Sequence, residues 1–246
     1  RNEINQGAVI TSRRAMSQVT GDFVYAASSD DRVCPGFFEA SMTLLNRHPE
    51  AMLCCSDPAY LDGVTGSERS HPLNWSQEPC FLTPQELARV INGGHIAGHT
   101  SLIRRNAFEA VGGLLPELRW HCDWFALHVL AFRYGVCYVP RPMALLRLMP
   151  QSYSGAGMKS WSEQREVLRH ILRLLKSSPF RDCLPHFQRG NVLAMFRWHI
   201  LRAVAESPAH WDLETLGLIR GTLSRGFRKY GTLEMLKGLF GSSPPA

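Results

Sequence analysis

Two adjacent carboxylates, Asp30 and Asp31, follow a short apolar run from Phe23 to Ala27 and the polar pair Ser28-Ser29, with Pro35-Gly36 just beyond. Carboxylate oxygens are hard donors. In an open α/β sheet, ligands collect outside the carboxyl ends of the strands, and two acids there can hold a divalent cation that in turn holds phosphate oxygens. The same pair also suits the capping of a helix starting near Pro35, and taken alone it leaves both readings open. His95 and His99 stand four apart, a metal-ligand spacing on a helix, but Gly98 between them and the strand expected after them argue against a helical ligand pair. The seven cysteines, at 34, 54, 55, 80, 122, 137 and 183, form an odd set without C-x-x-C spacing. Neither a metal finger nor a complete disulfide framework is expected, and a reducing, cytoplasmic setting fits them.

These residues need elements to position them. Gly7 to Val19 suits a helix that breaks at Gly21-Asp22 before the strand at Phe23. The spacing of apolar residues predicts a helix from Phe37 to Arg47, ended by His48-Pro49, and a second short strand from Ala51 to Ser56. Residues 57–80, rich in Gly, Ser, Pro and Asp, read as one long loop. Thr83-Pro84-Gln85-Glu86 carries the signature of a capping box. Ala97 to Arg104 is a further strand, then come a short helix to Val111, a Gly112-Gly113 break, a helix from Trp120 to Tyr134 and a strand from Val136 to Val139. The alternation predicts an α/β fold with parallel pairing.

Beyond Ser154-Gly155-Ala156-Gly157 the character changes. Helices are expected from Trp161 to Leu175, with Arg165, Arg169 and Arg173 at four-residue spacing, then from Asn191 to Val204, Asp212 to Thr222 and Thr232 to Phe240. The formal net charge is +6. Residues 1–159 hold 14 basic and 14 acidic groups, so the whole excess lies in the remainder, with 13 basic and 7 acidic. The expected organisation is therefore an α/β domain over 1–154, a basic helical region over 155–241 and a disordered tail over 242–246. No apolar run approaches the ~20 residues that span a bilayer. The basic region contains no nucleic-acid motif, so no nucleic-acid partner is expected. Arg225, Arg228 and Lys229 beside the apolar run Leu233 to Phe240 suit either packing on the α/β domain or peripheral contact with an anionic membrane surface.

Residues 2–154 resemble the second part of a family 2 glycosyltransferase domain of GT-A type. Five blocks stand in the family's order: Asn5-Gln6-Gly7 with Arg13; Gly21-Asp22-Phe23-Val24 into Ser28-Ser29-Asp30-Asp31 and Pro35; His48-Pro49-Glu50 with Ser56-Asp57; Arg104-Arg105, Val111-Gly112-Gly113 and Asp123-Trp124; and Val139-Pro140 with Arg147 to Ser154. The resemblance implies a partial GT-A, Rossmann-like sheet with helices. It also implies transfer of a sugar from a nucleotide sugar, a UDP-sugar in the first instance, to a glycan, lipid-linked or glycoconjugate acceptor with inversion. Such chemistry serves polysaccharide and cell-envelope assembly. Asp31, with Asp30, matches the acids of the DxD-like motif that hold Mg²⁺ or Mn²⁺. Arg13 matches a residue that reaches the diphosphate, Arg147 lies in the closing motif near the donor, and Asp123 matches the catalytic base. His95 and His99 border the expected acceptor side.

Departures from the pattern are equally specific. Ser28 replaces the first acid of DxDD, no Glu precedes Asp123, and Met149 stands where many members carry His. The family's opening strands, which bind uracil and ribose, have no counterpart, so the expectation is a fragment or truncated gene product. The competing reading is a degenerate, non-catalytic glycosyltransferase-like binding module. The implied location is cytoplasmic, with peripheral contact at the inner face of the membrane as a further reading.

Overall fold

The computed structural model describes residues 3–149 and 151–225. The chain divides into two compact units, Arg1–Leu87 with Ile96–Lys159, and Ala88–His95 with Ser160–Ala246.

The first unit is built on one mixed sheet. Its strands are β1 (Phe23–Tyr25), β2 (Arg32–Val33), β3 (Leu53–Asp62), β4 (Glu68–Ser70), β5 (Cys80–Leu82), β6 (Ser101–Arg104) and β7 (Val136–Leu148), and its helices are α1 (Ala8–Met16), α2 (Phe37–Arg47), α3 (Pro84–Val90, which runs on past Leu87), α4 (Arg105–Ala110), α5 (Cys122–Tyr134) and α6 (Tyr153–Lys159). The strand order is β1-β6-β3-β7-β2, with β4 added to β3 and β5 to β7. Parallel pairing, the expected default, occurs among the described residues only between β3 and β7; the other ladders are antiparallel. A parallel pair needs a long crossover, and the segment containing α5 supplies it between β3 and β7. The four-residue β6 enters between β1 and β3 in the opposite direction, and a strand that short carries no orientation signal in its sequence.

The long loop expected over 57–80 is also corrected. β3 continues to Asp62 and turns back into β4, because Asp62 Oδ1 accepts the Val64 and Thr65 N–H groups at 2.9 and 2.8 Å and closes the turn. The capping box forms as read. Thr83 N–H and hydroxyl donate to Glu86 Oε2 at 2.9 and 2.8 Å, and Glu86 N–H returns to Thr83 Oγ1 at 3.3 Å.

The core lies between α2 and the sheet, where Phe37, Leu44, Leu45, Cys54, Leu102, Cys137 and Val139 are buried together. All seven cysteines are free, and burial pushes the Cys54 thiol up to about 12, as befits an unreactive packing residue. α5 is buried along most of its length, and its imidazole at His128 serves the backbone. Nδ1 meets Trp124 O at 2.7 Å while Nε2 accepts the Ile96 N–H at 3.3 Å, which fixes a neutral tautomer and ties the 96–100 segment to the helix.

The second unit is helical in its described part: α7 (Trp161–Lys176), α8 (Leu184–Arg189), α9 (Trp198–Ala205) and helical residues 213–225. The expected helix from Asn191 to Val204 is broken. Val192–Phe196 is a 3-10 turn, and Asn191 and Arg197, at φ 49° and 51°, bend the chain on either side of it. Arg165 and Arg202 both bind Glu206, at 3.5 and 2.7 Å, so the arginine ladder of α7 is partly spent on holding α9. The helix expected from Thr232 to Phe240, the tail 242–246 and most of the basic-apolar segment read as packing on the α/β domain or touching a membrane lie outside the described residues. No helix among the described residues is long and apolar enough to cross a membrane.

Candidate functional site

The acidic pair sits in the loop between β1 and β2. Asp31 N–H donates to Ser28 O at 3.2 Å, closing a turn that presents both acids. Asp31 Oδ1 accepts the Arg147 backbone N–H at 3.0 Å and Oδ2 accepts the Ser28 N–H at 3.4 Å. Arg147 Nε reaches the Asp30 carbonyl at 3.2 Å. Neither acid caps α2, since β2 intervenes and the helix begins at a left-handed Gly36 without a side-chain cap. Burial pushes the Asp31 carboxyl above its ordinary value. The Arg147 and Ser28 N–H bonds oppose that shift and the Asp30 charge reinforces it. The balance leaves an anionic position that would gain from further positive charge.

Asp123 stands in the first turn of α5, where its Oδ1 accepts the Trp124 N–H at 2.8 Å. The residue is open to solvent, yet protein surrounds it closely enough that desolvation raises its carboxyl above the ordinary value. Gly98 lies directly against it, and a Cβ at position 98 would stand 2.6 Å from Asp123 Oδ2. Next to Gly98 the buried His99 is held twice: Tyr25 Oη donates to its carbonyl at 2.9 Å, and the Tyr60 ring packs on its imidazole at 5.8 Å between centroids.

The topology explains why these groups converge. β1 and β3 run in one direction because each is antiparallel to β6, and β7 is parallel to β3. Tyr25, Tyr60 and Arg147 therefore lie toward the carboxyl ends of their strands, and the Gly98–Thr100 turn enters β6 at that same end. Tyr25 ends the strand that leads into the acidic turn and reaches across to the segment beside Gly98. Burial raises its phenol, the Asp31 charge adds to that shift, and its hydroxyl binds the carbonyl beside Gly98.

The structure brings Asp30, Asp31 and Arg147 together, and sets Asp123 against Gly98, whose neighbour His99 accepts the Tyr25 hydroxyl. Arg13 Nη1 donates to Leu114 O at 3.1 Å, and no hydrogen bond joins it to the acidic turn among the described residues. His95 belongs to the second unit. Sequence reasoning missed Tyr25, Tyr60 and Gly98 as parts of the site. Only the position of Tyr25 at the end of an apolar run before the acids could have signalled one of them.

Two carboxylates with free lone pairs suit a hard divalent ion, and a bound cation would favour the charged form of Asp31 that burial disfavours. Among the described residues no group of three or more His, Cys, Asp or Glu could hold a metal by itself. Any ion bound by Asp30 and Asp31 would take its other oxygens from a ligand or from water.

Residues 1–112 match the model of glycosyl transferase family 2. The match takes in Arg13, Asp30 and Asp31 and stops before Asp123 and Arg147. No curated protein matches the chain. The fold is shared with crystal structures of S. aureus TarS 1-349. One is 15% identical at a TM-score of 0.52, covering 97% of this chain and 60% of that one. Another, in complex with UDP-GlcNAc, is 14% identical at 0.52, covering 92% and 62%. The chain thus spans about three fifths of the length of these structures, and at such identities the likeness is one of fold.

Proposed function

We propose that this chain, similar to glycosyl transferase family 2 over residues 1–112, is the catalytic part of a glycosyltransferase that moves a sugar from a nucleoside diphosphate donor to an acceptor hydroxyl with inversion. The observation that carries the reading is the pairing of a cation-seeking acidic turn, Asp30-Asp31 braced by Arg147, with a separate raised carboxylate, Asp123, at the same end of one sheet. The neighbour solved with UDP-GlcNAc supports a nucleotide-sugar donor.

The chemistry divides between the two acids. The acceptor oxygen attacks the anomeric carbon from the face opposite the diphosphate. A carbon–oxygen bond forms there as the bond to the diphosphate breaks, and the acceptor proton passes to Asp123. A base whose pKa is lifted toward neutrality is better matched to that task than an ordinary carboxylate. Asp31 and Asp30 would hold Mg²⁺ or Mn²⁺, which supplies charge stabilisation for the departing diphosphate when bound. Arg147 and Arg13 carry guanidinium groups suited to phosphate oxygens, Arg147 at the acidic turn and Arg13 from α1.

Ser28 in place of an acid and Met149 in place of His favour a second reading, a module that binds a nucleotide sugar without transferring it. One experiment separates the two. The chain is incubated with Mn²⁺ and UDP-GlcNAc plus glycan acceptors, and UDP release is followed beside UDP binding in calorimetry. Metal-dependent release that fails in Asp123→Asn supports the transferase. Binding without release supports the module, and neither would refute both.

A further inference from the structure

The two oxygens of Asp123 are held differently. Oδ1 accepts the Trp124 N–H at 2.8 Å, which leaves Oδ2 as the oxygen to take a proton. Main chain stands against Oδ2, since a Cβ on Gly98 would lie 2.6 Å from it. Whatever holds Gly98 therefore bears on where that oxygen stands. Inside the Gly98–Thr100 turn the bonds are local: Thr100 Oγ1 and Ser101 Oγ both donate back to Ala97 O, at 3.0 and 2.8 Å. Such bonds shape the turn without fastening it to the rest of the sheet. From outside, His128 of α5 accepts the Ile96 N–H at the start of the segment, and the Tyr60 ring of β3 packs on the His99 imidazole. The bond made closest to Gly98 comes from β1. Tyr25 Oη donates to the carbonyl of His99, the next residue, at 2.9 Å. Its ring lies against Phe37 and Phe38, at 5.0 and 5.6 Å between centroids, and those contacts set the direction of the phenol. A phenylalanine would pack there as well, so the hydroxyl has its use outside the core.

We propose that Tyr25 is a positioning residue whose hydroxyl, through the His99 carbonyl, holds Gly98 against Asp123 and so places the oxygen that takes the acceptor proton. The proposal rests on the glycosyltransferase reading above and adds to it the group that sets its base. Tyr25 acts through the turn and needs no contact with either substrate. Without its hydroxyl the His99 carbonyl loses a partner and the turn is freer to move. Displacing a reacting group by about 1 Å costs on the order of 10²-fold, and a shift of a fraction of that distance costs part of it. The acidic turn keeps its own bonds to Arg147, so the donor end of the site is left as it was.

Tyr25→Phe in the full chain keeps the ring and removes the bond. Amide hydrogen exchange by mass spectrometry, UDP binding by calorimetry and UDP release with Mn²⁺ and UDP-GlcNAc are measured on it and on the unmodified chain. Exchange over residues 96–101 should quicken about fivefold, the size of one neutral hydrogen bond, with the rest of the chain unchanged. UDP affinity and donor KM should hold while kcat falls roughly three- to tenfold. The same substitution made on top of Asp123→Asn should lower turnover no further, because the oxygen it places is gone. A merely structural role would lower turnover by the same factor in both backgrounds, and that result overturns the proposal. So does full kcat in Tyr25→Phe, a raised donor KM with kcat held, or unchanged exchange over 96–101. An unmodified chain that releases no UDP sinks the transferase reading itself. Release by that chain beside full kcat in Tyr25→Phe sinks the positioning role alone.

Discussion

Replacing Gly98 by Ala tests whether Asp123 must be held where it is. Gly98 does not sit at a positive φ, so alanine meets no backbone penalty there. Its added Cβ would lie 2.6 Å from Asp123 Oδ2, whereas ordinary contact begins near 3.4 Å. The carboxylate oxygen must therefore retreat by ~0.8 Å, the difference between those distances. Asp123 is open to solvent and its carboxylate is the free end of a side chain, so the movement costs the fold little. A perturbation of ~1 kcal/mol or less lowers the melting temperature by only a few degrees. Catalysis is far more sensitive, because misplacing a reacting group by about 1 Å costs on the order of 10²-fold. Gly98→Ala should lose ~10- to 100-fold in kcat with donor KM nearly unchanged, read as UDP release at saturating donor. Full turnover in Gly98→Ala beside an inactive Asp123→Asn would refute the reasoning. So would a melting temperature lowered by some ten degrees or more, since the contact would then be holding the fold.

Asp123→Asn should cut turnover by ~10²-fold or more with donor binding preserved. Because desolvation raises the Asp123 carboxyl, and the base acts only when deprotonated, the acid limb of kcat/KM should lie above the ordinary carboxylate value of 3.8. A limb at or below that value would assign the limb to another group. Asp31→Ala should abolish metal-stimulated transfer while the chain still melts cooperatively; full activity in excess chelator would remove the metal role. Asp31 also has a stability signature. Its folded carboxyl keeps a proton to higher pH than the unfolded one, so the folded state binds more protons and stability falls as pH rises through that interval. Asp31→Asn should therefore melt higher than the parent at pH 7, and the gap should close below about pH 3.8. His128→Ala should lower stability by about 2–4 kcal/mol, a cavity plus the loss of a buried partner for the Ile96 N–H, measured by urea unfolding. A loss under half that range would mean the imidazole is not what ties the 96–100 segment to α5.

Much of this arrangement was legible in the sequence, and the exceptions share a cause. α2 and α5 announce themselves through apolar spacing, the capping box through Thr83 and Glu86, and the acidic turn through the change from Phe23-Val24-Tyr25 to Ser28-Ser29-Asp30-Asp31. What the sequence withheld is tertiary pairing. Strands as short as β2 and β6 have too few residues for a pattern, so antiparallel neighbours were invisible. β4 is exposed throughout, and its polar residues resemble a loop. Gly98 is a turn glycine by composition, and only the packed structure shows that it faces Asp123. The break at Arg197 lies inside an apolar run whose periodicity continues across it.

Asp57 shows how the pairing of β3 with β7 reaches the acidic turn. From Ser56 to Ala59 β3 advances three residues while β7 advances six, from Val139 to Leu145. The excess on β7 includes Pro140 and Pro142, which cannot donate to a ladder and belong at an irregularity of this kind. The bulge leaves Asp57 buried, where its Oδ1 accepts Tyr138 O–H at 2.6 Å and Leu73 N–H at 2.9 Å. Those bonds tie β3, β7 and the 71–75 segment together at the point where the register shifts. Beyond it the ladder resumes, with Leu61 opposite Arg147. A slip of one residue would turn Arg147 to the other face of the sheet and withdraw its N–H from Asp31. The fully buried aspartate thus serves the half-buried one. It fixes the register that delivers Arg147 to Asp31, and its own bonding to Tyr138 and Leu73 gives it a structural task.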